Sequence, residues 1–131
     1  MGRVTGVRVI GLEDVPPLDL PGGSWSRVLL SGDRVASSSA LGFSSFAAGT
    51  STAMLSHATE ELAYVLTGHG ELRLDGEAIP YRAGSALFVP KGVWHAVVNL
   101  GEEPVTMVFA FPHPDYPPTE RRDAGRPASV P

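Results

Sequence analysis

Residues 53–70 read AMLSHATEELAYVLTGHG, and the fold class turns on whether they form a helix or a pair of strands. Taken alone, Ser56 to Leu66 holds good helix formers with acidic residues early, which is how an α-helix begins. Gly49 and Gly68 bracket the segment, β-branched and aromatic residues follow it, and no second helical pattern is present for a helix to pack on. The segment is therefore read as strand, turn and strand. Period two then puts Leu55 and His57 on one face, and Glu61, Ala63 and Val65 on one face of the next strand. A single straight strand would hold His57 and Glu61 about 13 Å apart, at roughly 3.3 Å per residue. The two meet only if residues 58–60 turn the chain back.

Outward from this stretch, 15 glycines and 12 prolines punctuate short apolar runs at the spacing of an all-β sandwich or barrel. Strands are expected at residues 27–31, 39–47, 53–57, 62–66, 70–74, 86–89, 95–99 and 105–111. In LDGEAI, residues 74–79, Asp75-Gly76 stands where a type I′ hairpin turn wants two residues of positive φ. At 131 residues the chain is expected to form one domain with its core over 24–112. Residues 1–23 are read as an N-terminal arm or edge strand, and 113–131 as a Pro-rich, partly disordered tail.

The net charge of −4, with ten scattered Lys and Arg, excludes nucleic acid as a partner, because phosphate recognition needs clustered cations. There is no cysteine, hence no disulfide, thiolate nucleophile or Cys-based zinc site. A metal would have to be held by His, Asp, Glu, Tyr or backbone oxygen. No run of about 18 apolar residues offers a membrane span, and the N-terminus lacks the apolar core of a signal peptide. The expectation is a cytoplasmic protein that engages neither membrane nor nucleic acid.

A second segment, GSALFVPKGVWHAVVN at 84–99, sets His95 just after a Pro90-Lys91-Gly92 turn, with Val97 and Asn99 on its face. Gly84, Pro90, Gly92, His95 and Asn99 fill every position of the second motif of the cupin superfamily: Gly, five residues, Pro, one, Gly, two, His, three, Asn. The first motif is matched by His57, Glu61 and Gly68, with Leu55 standing where its first histidine belongs. The sequence thus resembles a small cupin, which implies an all-β jelly roll, a double-stranded antiparallel β-barrel. Scattered features, WSRVLL near the start and VFAFP near the end, resemble ectoine synthase, and small cupins that cyclise polyketide-like substrates are an equally good model.

The resemblance implies that His57, Glu61 and His95 hold one divalent transition metal, Fe, Zn, Mn or Ni, with Leu55 removing a ligand. It also implies a homodimer. Three functions stay open: a lyase, isomerase or cyclase that uses the metal as Lewis acid, an Fe(II) or Ni dioxygenase, and a non-catalytic module that binds a small molecule at a degenerate site. In the first, Glu61 or Tyr81 would carry the proton. Leu55, Val65, Val97 and Phe109 are expected to line an apolar pocket for a small, largely apolar, oxygenated substrate. His69 is read as a solvent-facing turn residue that could replace the missing ligand, and His113 as a loop histidine. Tyr64 and Trp94 have the parity of the barrel exterior, where a dimer would cover them. The bland alternative for each of His57, Glu61 and His95 is an ordinary polar residue on a wet strand or turn.

Overall fold

The computed structural model describes residues 6–123, and every strand ladder among them is antiparallel. The strands are β1 (Leu18–Asp19), β2 (Trp25–Leu30), β3 (Ala40–Phe46), β4 (Met54–His57), β5 (Glu61–Thr67), β6 (His69–Leu74), β7 (Glu77–Arg82), β8 (Ala86–Val89), β9 (Ala96–Asn99), β10 (Val105–Phe111) and β11 (Thr119–Arg122). Among the described residues one four-residue α-helix, α1 (Gly32–Val35), joins β2 to β3, and short 3-10 turns stand at Leu12–Asp14 and Pro21–Gly23. No helix among the described residues is long and apolar enough to cross a membrane.

One sheet has six strands in the order β1-β2-β3-β10-β5-β8. The other is built from β7-β6-β9 and β11-β4, which the single bridges Ser51–Val98 and Leu55–His95 join edge to edge. Strict alternation along β10 shows which face is inward: Val105, Met107, Phe109 and Phe111 are buried, and the residues between them are partly exposed. Phe46, Val65, Leu72, Tyr81, Val89, Val105 and Met107 form the apolar core between the sheets. This is the all-β jelly roll expected from the sequence.

The 53–70 segment is strand, turn and strand. Its helix propensity loses because β5 is laddered on both sides, by β10 and by β8, and this pairing satisfies its backbone in the extended state. Three details depart from expectation. Residues Asp75 and Gly76 do make the two-residue link between β6 and β7, but only Gly76 has positive φ, at 86°, so the turn is not type I′. Trp94 is covered within the chain by the guanidinium of Arg122, 4.4 Å from its ring centroid, and does not wait for a partner. Most consequentially, part of the expected tail is structural: residues 119–122 are β11, paired with β4, while 124–131 lie outside the described residues. The arm, for its part, supplies β1 at the edge of the larger sheet and a buried Val15.

Candidate metal centre and its cavity

The turn at 58–60 brings Glu61 back beside His57, as the spacing required. It is held by the Ala58 N–H donating to the Pro118 carbonyl at 2.9 Å. The Gly92 N–H donates to the His57 carbonyl at 2.8 Å, and its φ of 77° is what lets the 90–92 turn close against β4. His95 follows, fixed by reciprocal backbone hydrogen bonds with Leu55 of 2.7 and 2.9 Å. Glu61 Oε1 then stands 3.3 Å from His57 Nε2 and 3.4 Å from His95 Nε2, with both imidazoles buried. One ligand atom from each of the three lies within 4.8 Å of the others.

The hydrogen bonds on the far side of each ring decide what the near side offers. The Thr119 hydroxyl donates to the Pro117 carbonyl at 2.8 Å, so at its 2.7 Å contact with His57 Nδ1 it accepts, and Nδ1 carries the hydrogen. His95 Nδ1 lies 3.0 Å from the Val93 carbonyl, which can only accept, so it too is protonated. In their neutral forms both imidazoles therefore turn a bare Nε2 lone pair toward a carboxylate oxygen. Three acceptors at this range repel one another unless a cation or a proton lies among them. Burial alone would push the Glu61 carboxyl up, but hydrogen bonds and charge from His57 and His95 outweigh it and hold the carboxyl below its ordinary value. Burial would likewise push His95 down, but the Glu61 hydrogen bond, the Val93 carbonyl and the Glu61 charge raise it. The trio fits a divalent transition metal, since two neutral imidazoles and one carboxylate suit Fe, Zn, Mn or Ni better than Mg or Ca.

The three residues border a cavity of about 550 Å³ between the sheets. Its walls are largely apolar: Val15, Leu18, Leu20, Val28, Phe46, Leu55, Val97, Met107 and Phe109. Leu55 lines it beside His95, in the place of the missing histidine. Val97 and Phe109 line the cavity as well. Val65 does not: opposite Met107 and wholly buried, it belongs to the apolar core. Tyr81 is also displaced from the role given to it. It is buried on β7, does not border the cavity, and donates its hydroxyl to the Val98 carbonyl at 2.8 Å; burial, helped by the charge of Glu71, pushes its phenol far up. His69 is exposed at the start of β6, and His113 closes a turn on the Asp115 backbone, so neither joins the trio.

Sequence reasoning missed Tyr116, Thr119, Arg121 and Arg34, which all border the cavity. The Tyr116 ring packs edge-on to His57, Phe109 and Phe111, with centroids 5.5, 6.4 and 5.1 Å away. Three of the four come from the segment read as a tail. The available signal was the alternation of Thr119 and Arg121 with Glu120 and Arg122, too short and too polar to announce a strand.

Among curated proteins, the chain is similar to Protein SchB of Streptomyces halstedii, at 32% identity over 130 residues covering 94% of each. It is similar to Polyketide synthase CurC of Streptomyces cyaneus, at 32% over 103 residues, 78% of this chain and 67% of that protein. Among solved structures, the polyketide cyclase RemF of Streptomyces resistomycificus shares the fold, with a TM-score of 0.75 at 21% identity, covering 88% of this chain and 84% of that one. The Cupin domain model matches residues 42–111, which span both motifs and all three converging side chains, and the chain belongs to the cupin family.

Proposed function

We propose that the protein is a metal-dependent enzyme of lyase or isomerase type, a cyclase, acting on a small, largely apolar, oxygenated metabolite of polyketide kind. The observation that carries this reading is the convergence of two oriented Nε2 lone pairs and the Glu61 carboxylate at the wall of an apolar cavity. The name of the polyketide synthase relative CurC, and that of the fold neighbour RemF, a polyketide cyclase, support the substrate class.

A divalent metal held by His57, Glu61 and His95 would supply Lewis acidity toward a substrate carbonyl. The rest falls to the chain. Leu55, Val97 and Phe109 give the substrate apolar walls and keep water from competing for reactive carbonyls. With Tyr81 outside the cavity, the groups placed to move a proton are Glu61 and Tyr116. Burial, with the Glu61 charge, pushes the Tyr116 phenol far up against the opposing Arg121 charge and Thr119 hydrogen bond, so it stays neutral and able to donate.

Metal analysis of protein purified without chelator, with His95→Ala alongside, tests the reading. About one metal per chain in the wild type and far less in the variant is expected; substoichiometric metal in both sinks it. Incubating the metal-loaded protein with a linear poly-β-ketone and following ring formation by absorbance is the second step. Oxygen consumption in that assay would assign a dioxygenase instead.

A further inference from the structure

Three charged side chains besides the two histidines set the polarity of this cavity, and they do not balance. Glu61 is its one acidic lining residue, against the guanidiniums of Arg34 and Arg121. Neither guanidinium has a hydrogen bond or ion pair among the described residues, whereas Arg27, Arg73 and Arg122 each pair with a carboxylate. The register of β11 explains how Arg121 comes to face inward. Thr119 pairs with His57 and Arg121 with Leu55, so these two alternate onto the cavity side, while Arg122 stacks on Trp94 and pairs with Asp75 on the other. Arg121 therefore stands two residues along the strand from the hydroxyl that orients His57, about 7 Å away at strand spacing. Its charge reaches into the cavity far enough to act on the Tyr116 phenol.

We propose that Arg121, seconded by Arg34, is an anion subsite that holds one acidic oxygen, a carboxylate or an ionised enol or phenol, of a substrate whose body lies on the apolar walls. This rests on the reading of the cavity as the substrate site and narrows its substrate class to apolar molecules that carry one oxyanion. A planar fork of N–H donors suits such a group, and the apolar surroundings strengthen the contact.

The test is calorimetric titration with three ligands of similar size, on protein stripped with chelator and again after metal reloading. 2-Naphthoate stands for the carboxylate, 4-nitrophenol in mildly alkaline buffer for the phenolate, and naphthalene-2-carboxamide for the neutral body. In metal-free protein at least one anion should bind about tenfold tighter than the carboxamide, the size of one charge-assisted hydrogen bond. Arg121→Met should abolish that preference while leaving the carboxamide affinity unchanged, Arg121→Lys should keep part of it, and Arg34→Met should reduce it less. Whichever anion is preferred identifies the source. The inference is overturned if Arg121→Met keeps the preference, if it weakens all three ligands equally while Arg121→Lys does the same, or if none of them binds. A preference that appears only with metal and survives Arg121→Met overturns it too, while leaving the metal reading intact. The converse, an Arg121-dependent preference in a protein that takes up no metal, sinks the metal reading alone.

Discussion

His57 and His95 are oriented by different means. A side-chain hydroxyl on β11 receives the Nδ1 hydrogen of the first, and a backbone carbonyl two residues away receives that of the second. The pairing of Glu61 with His95 has a pH signature. Glu61 is held below its ordinary value of 4.5, so its contribution to stability is present above 4.5 and is lost as pH falls through its folded value. His95 is raised above 6.5, so its contribution is full below 6.5 and is lost as pH rises through the raised value. The metal-free protein should therefore gain most from this pair between pH 4.5 and 6.5. Its melting temperature should decline on both sides of that window more steeply than that of Glu61→Gln; parallel profiles would show the pair to be uncoupled from folding. Metal competes with the proton of this pair, so its affinity should rise with pH. Leu55→His tests the register itself. With Leu55 on the cavity wall and bridged to His95, an added imidazole should tighten metal binding, as read by competition with a chromogenic chelator. Unchanged affinity would mean that the side chain does not reach the trio.

At the scale of elements, β11 matters more than its four residues suggest. It places Thr119 on His57 and Arg121 beside Leu55, and the segment before it seats Tyr116 on the aromatic group of His57 and Phe111. Thr119→Val should keep the strand but lose the Nδ1 acceptor, weakening metal affinity by about 10- to 100-fold with little change in melting temperature, and Thr119→Ser should restore it. Equal affinity in Thr119→Val would leave His57 oriented by packing alone. Across the cavity, β3 makes room for Phe109 with Gly42. A Cβ there would come 2.2 Å from the Phe109 ring and 2.7 Å from the Arg27 carbonyl. Gly42→Ala should cost about 1–3 kcal/mol in denaturant unfolding and drive that ring toward the cavity, weakening ligand binding. Wild-type stability would mean that the strand gives way freely.

For the whole molecule, the outer face of the six-stranded sheet is what the chain leaves uncovered. Leu62, Tyr64 and Leu66 alternate along β5 and Phe88 pairs with Leu62 on β8, with exposures of 47, 49, 44 and 59%. Side chains of this size, side by side on one sheet face, fit the homodimer implied by the cupin resemblance better than they fit a solvated surface. Phe88→Asp should then shift sedimentation from dimer to monomer and leave metal content unchanged. A wild-type protein that sediments as a monomer would remove the dimer.

The sequence by itself determined the β architecture and the convergence of His57, Glu61 and His95, because both are written in local spacing. Glycines and prolines set strand lengths, period two sets faces, and the Gly84–Asn99 motif sets where His95 must fall. It also marked Leu55 as the substitution in an otherwise intact set. Only the tertiary structure decided what surrounds the trio. Val65 and Leu55 both have inward parity, yet Val65 is sealed by the strands on either side of β5 and Leu55 opens on the cavity. Tyr81 points inward as well, and its hydroxyl is taken by a carbonyl of β9. Thr119 and Arg121 reach the site through a pairing with β4 across more than sixty residues of chain, which no local pattern encodes. Ladder partners and cavity walls depend on which segments meet in space, and a short polar strand acquires its place only from the partner that receives it.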